Sequence, residues 1–407
     1  MNPTPLPSQA PRPSVSEHVG EVLGLLWPDG PGDDASGVSS LVALPNAENP
    51  RLVIPRRPRA ASAAAVRHYK TSATGRDRWL ARGGAWAVRA GLADLLPGRI
   101  DLPAGSADIR HHLRDVLGQD VQVALYVGPR RAVEKPVLQV LSPAGEVLAY
   151  AKLGTGRLTR SLVHAEVRAL RALSGQPFTA LEVPVLLHAG EWHGFDLIVQ
   201  RAVTDTSGRV PGAALVAAAI DDLAWFRGGA QSGRWAASSY RAGLLGRIDA
   251  LGPSPHRPAL RSGLALLDRT HSFTTIRLGD SHGDWAPWNM AQRGSCLVVW
   301  DWEHLTSGVP VGFDAVHHDF SRQVVHDGVP VVDVVRRLLD GRDSPVTDHF
   351  VTAADRSLLV TAYLLDIATR YVEDGEVVVG GTTTSRLEEW LVPALSWCGR
   401  TPGDTTA

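Results

Sequence analysis

Between Ile276 and His304 the chain reads IRLGDSHGDWAPWNMAQRGSCLVVWDWEH, and this segment restricts the possible folds more than any other. MAQ, RGS and CLVVW form the pattern of a β-hairpin turning near Gly294, with apolar, β-branched residues on the second strand. Folding about that turn sets Asn289 nearly opposite Asp301, at the spacing of roughly 5 Å found across antiparallel partners. An amide oxygen and a carboxylate then converge at the open end of the hairpin, a hard-oxygen pair that suits magnesium. Asp284 lies on the loop just before. A carboxylate one loop away from the metal, and not needed as its ligand, is free to take the proton of an attacking hydroxyl. For any one of these residues, capping a turn or pairing with an arginine is an equally good account. The whole set is more specific: HxDxxxxN is followed twelve residues later by an aspartate ending an apolar strand.

A separate region adds a cation. Residues 121–127, 137–141 and 147–153 (VQVALYV, VLQVL, VLAYAKL) are apolar runs separated by GPRRAVEKP and SPAGE, the pattern of a three-stranded antiparallel meander. A helix through SLVHAEVRALRAL is expected next, with Thr159 or Ser161 as its N-cap. On that helix Glu166 sits in a stripe with Leu162, Val163, Leu170 and Leu173. A carboxylate there is costly to bury unless a cation meets it, and Lys152 in the preceding strand is the natural partner. Such a pair holds a lysine ready for the α- and β-phosphates of a nucleotide.

Further strands are expected at VPVLLHAG and FDLIVQR, followed by helices over 213–227, 234–251, 258–271, 316–340, 350–372 and 385–397. A β-rich part thus precedes an α-rich part, with no internal repeat. Residues 1–18, rich in proline and serine and lacking an apolar core, read as a disordered tail rather than a secretory signal. Residues 19–115 carry no recognisable chemical motif and read as an N-terminal extension.

Composition excludes several classes. Lysine and arginine number 41 against 42 acidic residues, so the chain lacks the basic field of a nucleic-acid binder. Cys296 and Cys398 offer neither a disulfide framework nor a CxxC metal clip. No apolar run approaches the roughly 18 residues of a membrane span. A cytoplasmic location is expected.

With these residues in place, the stretch from about Val121 to Trp397 resembles the aminoglycoside phosphotransferase and choline kinase superfamily, distant relatives of protein kinases. The resemblance implies an α+β, two-lobed protein-kinase-like fold: a small antiparallel β-rich N-lobe over 116–202 and a larger, mainly helical C-lobe over 203–400. It implies ATP or GTP as phosphoryl donor, Mg2+ as cofactor, and a small hydroxyl-bearing acceptor, with no nucleic acid and no membrane span. His282, Asp284 and Asn289 match the catalytic loop HGDxxxxN, with Asp284 as base and Asn289 and Asp301 as metal ligands. Lys152 and Glu166 match the phosphate-positioning pair. The strand LIVQR resembles the hinge, with Val199 and Arg201 beside the nucleobase. Asp314 matches an aspartate that braces the catalytic loop, or else is a plain helix N-cap.

Three departures stand out. GPRRAVEKP has one glycine where protein kinases carry GxGxxG, leaving Arg130, Arg131 and Lys135 as alternative sources of positive charge or as solvated turn residues. HGDWAPWN and DWE resemble uncharacterised phosphotransferases associated with bacterial surface polysaccharides more than antibiotic-resistance enzymes, and that resemblance leans the acceptor toward a sugar or amino sugar. Trp285, Trp288, Trp300 and Trp302 crowd the motif; packing accounts for most of them, Trp300 above all, although stacking on a sugar or enclosing an amine are alternatives. Two rival functions follow from the same residues. A metal-dependent hydrolase would use His304, His317, His318, Asp319 and His326, yet no HxH or HExxH spacing is present. A silent nucleotide- or glycan-binding pseudokinase would keep the fold without turnover.

Overall fold

Short apolar strands and helices are interspersed along the chain, with the longest helical stretches after residue 200, and the structure is α+β. The computed structural model describes residues 15–28, 37–69, 75–95, 98–104, 108–128, 135–228, 231–375 and 387–398. Arg130, Arg131 and most of the tail lie outside these residues. By contacts the described chain forms two compact units, one of 15–28, 37–69, 75–95, 98–104, 108–128 and 136–151, the other of 135, 152–228, 231–375 and 387–398.

The first unit runs α1 (Val15–Leu26), β1 (Gly37–Leu44), β2 (Leu52–Pro55), α2 (Arg59–Arg67), α3 (Gly75–Ala90), β3 (Arg99–Ala104), α4 (Ile109–Leu117), β4 (Gln122–Tyr126), β5 (Val137–Leu141) and the start of β6 (Val147–Gly154). Its strands lie in the order β3-β1-β2-β4-β5-β6. The pairs β3/β1, β1/β2, β2/β4 and β4/β5 are antiparallel, with Leu41 opposite Pro55, Val53 opposite Leu125 and Ala124 opposite Gln139. Helix α2 packs on β2, and its buried run Ala61, Ser62, Ala63, Ala64, Ala65 explains how: small side chains let the helix backbone approach the sheet. The Ser62 hydroxyl donates to the carbonyls of Pro55 and Pro58. Residues read as an extension therefore share one sheet with β4 and β5, and α1 begins inside the stretch read as a tail.

The second unit begins at the end of β6 and continues through α5 (Arg157–Leu173), β7 (Leu181–Glu182), β8 (Leu186–Trp192), β9 (Phe195–Arg201), α6 (Ala213–Ala224), β10 (Gln231–Arg234), α7 (Ser239–Ala250), α8 (Arg257–His271), β11 (Thr275–Ser281), β12 (Met290–Arg293), β13 (Cys296–Val299), β14 (Thr306–Pro310), α9 (Phe313–Ser321), α10 (Val331–Leu339), α11 (Arg356–Glu373) and α12 (Leu387–Cys398). Strands β8 and β9 form an antiparallel hairpin. Two three-stranded sheets, β10-β11-β14 and β12-β13-β7, carry the chemistry-bearing loops. One apolar core, with Leu260, Leu264, Val334, Leu338 and Leu364, holds the helices together. Another, with Val163, Leu170, Ile220, Leu297, Trp285 and Trp302, lies beneath α5 and the hairpin.

The sequence expectations differ from this unit in three places. Helix α5 is capped by Gly156, not by Thr159 or Ser161: Thr159 lies one turn inside, and its hydroxyl reaches back to accept from the N–H groups of Thr155 and Gly156 at 3.1 and 2.9 Å. The helix expected over 234–251 starts only at Ser239, because 231–234 pairs with β11 instead. The helix expected over 316–340 is two, separated by a π-turn at Arg322–His326 and by Pro330, which cannot donate to a continuing helix.

Candidate active site

Strand β11 delivers the chain to His282, and a hairpin returns it to Asp301. Met290 pairs with Val299 and Arg293 with Cys296, so the turn falls at Gly294 and Ser295, with Gly294 at φ 58°. The Trp300 N–H donates to the Asn289 carbonyl at 3.0 Å, extending the ladder to the open end. Asn289 is buried, and its Nδ2 donates to the Asp284 carbonyl at 3.0 Å and to Asp284 Oδ2 at 2.9 Å. Neither bond uses the amide oxygen. Asp301 follows in the left-handed region (φ 67°, ψ 52°), where aspartate is among the few side chains that settle.

Lys152, distant in sequence, meets that carboxylate and links it to Glu166. Lys152 Nζ donates to Glu166 Oε1 at 2.6 Å and also to Asp301 Oδ1. Glu166 is fully buried and takes a second bond, 2.6 Å, from Gln200 Nε2. Burial works against the Lys152 charge, but the two carboxylates outweigh it and raise its ammonium above the ordinary value. Burial would likewise raise Asp301, yet Lys152 holds its carboxyl below the usual range. Lys135, just before β5, adds a second ammonium: its side chain is 7% exposed and donates to Glu303 Oε2. Burial and the neighbouring Lys152 pull Lys135 down to about 8.

The loop carrying Asp284 is held from behind. Asp314 accepts from Ser281 Oγ at 2.9 Å, from the His282 N–H at 2.8 Å and from the Gly283 N–H at 3.0 Å. The N-cap of α9 is Gly312, so bracing, not capping, is what Asp314 does. Arg370 Nη1 donates to the Gly283 carbonyl at 2.6 Å. Gly283 has φ 81°, and a Cβ there would lie 2.9 Å from the Cβ and carbonyl oxygen of His304. His282 is fully buried with both ring nitrogens engaged: Nδ1 accepts from the Asp284 N–H at 3.1 Å and Nε2 donates to the Trp300 carbonyl at 3.0 Å. Burial lowers its pKa, which keeps the ring neutral. Its ring packs edge-on against Trp302 and Trp285, with centroids 4.6 and 5.6 Å away.

Asp284 Oδ1 lies 2.9 Å from His317 Nε2, and the other nitrogen of that ring meets the Tyr363 hydroxyl at 2.9 Å. Burial tends to raise the Asp284 carboxyl, but His317, Arg370 and His304 together hold it far below the ordinary carboxylate range. Beside this loop, within the second unit, opens a cavity of about 660 Å3 walled by Gly283, Glu303, His304, His317, Asp366 and Arg370, among others. Charged side chains (Glu303, Asp366, Arg370) stand on a wall that is otherwise largely apolar, with Leu162, Leu244 and Phe313 among its residues.

Of the residues singled out from sequence, Lys152, Glu166 and Asp301 touch, as do Asp284 and Asn289. The expected hinge pair lies at the end of β9. Val199 is fully buried, and the Arg201 N–H donates to the Val185 carbonyl at 2.8 Å, while the Arg201 side chain is exposed. Trp300, expected in the core, is only half-buried, whereas Trp285 and Trp302 are fully buried. Gln200, His317 and Arg370 were not legible as site residues. His317 was visible in the HHD run, but successive helical side chains diverge by roughly 100° and nothing local says which one faces the loop. Among the described residues no group of three or more His, Cys, Asp or Glu side chains is placed to hold a metal.

No family model matches the sequence, and no curated protein does. Among solved structures the chain is similar to a thermostable mutant of aminoglycoside phosphotransferase APH(4)-Ia in ternary complex with AMP-PNP and hygromycin B, at 12% identity and TM-score 0.49, covering 74% of this chain and 100% of that one. A complex of a mutant of the same protein with ADP and hygromycin B gives TM-score 0.47 at 12% identity, with 74% and 100% covered. Amicoumacin kinase hAmiN in complex with AMP-PNP, Ca2+ and Ami gives TM-score 0.40 at 12% identity, covering 65% of this chain and 85% of that one.

Proposed function

We propose that this chain is a phosphotransferase that moves the terminal phosphate of ATP or GTP to a hydroxyl of a small molecule, with sugars and amino sugars the first acceptors to test. The observation that carries the reading is the lysine bridge: Lys152 joins Glu166 of α5 to Asp301 at the hairpin end, while Asp284 stands apart with its own partners. This separates a phosphate-directed cation and a metal-directed carboxylate from a second carboxylate, Asp284, directed to the acceptor. The free amide oxygen of Asn289 and the Asp301 carboxylate are hard donors that fit Mg2+. When bound there, the ion neutralises charge on the nucleotide's phosphates.

In this mechanism the acceptor hydroxyl lies in the cavity beside Gly283 and attacks the terminal phosphorus. Asp284 orients it and takes its proton as the new O–P bond forms and the bond to the nucleoside diphosphate breaks. A carboxylate held so far below the usual range is a weak base, which suits a loose phosphoryl-transfer transition state in which positioning matters more than early proton removal. His282 acts as a positioning residue, since both its nitrogens are spent on the main chain. Glu166 and Gln200 keep Lys152 aimed.

The test is a phosphate-transfer screen with both nucleotides over amino sugars, simple sugars, choline-like amines and nucleosides. Asp284→Asn should lower transfer by roughly 10²–10⁴-fold, the usual scale of a general base, with nucleotide affinity nearly unchanged. Asp301→Asn should abolish magnesium-dependent nucleotide binding. Full activity in either variant would sink the assignment, and nucleotide binding without transfer to any acceptor would favour a silent binding protein.

A further inference from the structure

Lys135 occupies an unusual position for a lysine. Its side chain is 7% exposed, against 13% for its partner Glu303, and that partner sits two residues after Asp301 on the same turn. Beyond Glu303, four charges bear on its ammonium: Lys152 opposes it, while Glu166, Asp301 and Asp284 favour it. Two ammonium groups are thus held in the field of the same carboxylates, at a place with little water to screen them. A buried ion pair seldom repays its desolvation, so the pairing with Glu303 is a poor reason by itself to keep a second lysine here. A polyphosphate chain supplies a better one, because it brings several negative charges to a spot with two cations and gives each a charge-assisted hydrogen bond.

The sequence between β4 and β5 points the same way. GPRRAVEKP contains a single glycine, so the repeated backbone N–H contacts that a glycine-rich loop makes with phosphates are not on offer from it. The same segment carries instead, next to its end, a side-chain cation, Lys135. Resting on the phosphotransferase reading above, we propose that Lys135 is a second phosphate-contacting lysine, which exchanges its bond to Glu303 for one to the terminal phosphate while Lys152 serves the inner ones.

The experiment is equilibrium binding of ADP and of a non-hydrolysable ATP analogue to the full-length protein and its variants, with magnesium present. Lys135→Ala should weaken the ATP analogue by roughly tenfold or more, the scale of one charge-assisted hydrogen bond, and ADP by less than about threefold. Lys135→Gln removes the charge but keeps a donor for Glu303, and should show the same selective loss should the alanine variant not fold. Lys135→Arg should retain most of the affinity. The double variant Lys135→Ala/Glu303→Ala should stay weak, because the missing cation and not an orphaned Glu303 causes the loss. Equal losses for both nucleotides, recovery in the double variant, or unchanged binding in Lys135→Ala and Lys135→Gln would overturn the proposal alone. A wild-type protein that binds neither nucleotide would overturn the phosphotransferase reading, and this inference with it.

Discussion

Gly283 and His304 show how tightly single residues are specified around the candidate base. At Gly283 a left-handed backbone and a close approach to His304 coincide, so a side chain is excluded twice over. Gly283→Ala should shift the Asp284 loop and reduce transfer by roughly 10²-fold, the cost of about 1 Å of misplacement; steady-state kinetics beside nucleotide binding would check this, and wild-type rates would refute it. His304 makes a pH prediction. Burial and Arg370 lower its imidazole to about 3, whereas an unfolded histidine titrates near 6.5. Between those values the unfolded chain holds a proton that the folded chain refuses, so stability falls as pH drops from about 6.5 toward 3, and His304 adds no pH dependence above that window. His304→Gln should flatten the denaturation midpoint against pH across the window; parallel curves would refute the attribution. The residue types at this site were legible early, because HxDxxxxN and its distal aspartate bring a specific set of polar groups together. Their partners were not: Gln200 lies between the two hinge residues that sequence reasoning chose, and it turns its amide to Glu166.

At the scale of elements, α9 ties together loops that sequence spacing leaves independent. Its first turn offers Asp314 to three donors of the Asp284 loop. Removing that carboxylate orphans two main-chain N–H groups, and Asp314→Ala should lower the transfer rate far more than nucleotide affinity; an unchanged rate would show that the loop holds itself. Further along, Asp319, fully buried, accepts from the N–H groups of Val346 and Thr347 and from the Thr347 hydroxyl. Asp319→Ala leaves those donors buried without a partner, at about 1–3 kcal/mol each when not rescued by water, and should lower the thermal midpoint clearly while sparing kinetics in the protein that remains folded. Calorimetry beside an activity assay separates the two. Helix existence was readable from apolar periodicity, but boundaries were not. The end of α5 depends on which of several nearby hydroxyls reaches back, and that of α7 on a strand pairing with β11, a partner outside the local window.

Across the whole molecule, the division of the chain falls inside β6, between Ala151 and Lys152. The stretch before β4 is part of the same sheet as β4 and β5, with Leu52 opposite Tyr126 and Val53 opposite Leu125. A fragment starting at residue 116 would therefore expose the β4 edge, a row of unpaired N–H and C=O groups beside buried Val123, Ala124 and Leu125. Such a fragment should aggregate or fail to fold, as read by size-exclusion chromatography against the full chain; a soluble, monomeric, nucleotide-binding fragment would show that the first residues are dispensable.

The sequence by itself determined the residue types on offer and the local pieces that carry them: the hairpin, the buried Glu166 stripe with its lysine, and the alternation of strands and helices. These follow from short-range rules, since periodicity, turn residues and the cost of an unpaired buried charge act over a few positions. Only the tertiary structure decided that Lys152 reaches Asp301 as well as Glu166, that His317 faces Asp284, that Lys135 meets Glu303, and that the early strands complete the sheet of β4 and β5. Each of these depends on side chains far apart in sequence sharing one low-dielectric spot or one sheet edge, and such coincidences are fixed by packing rather than by any local pattern.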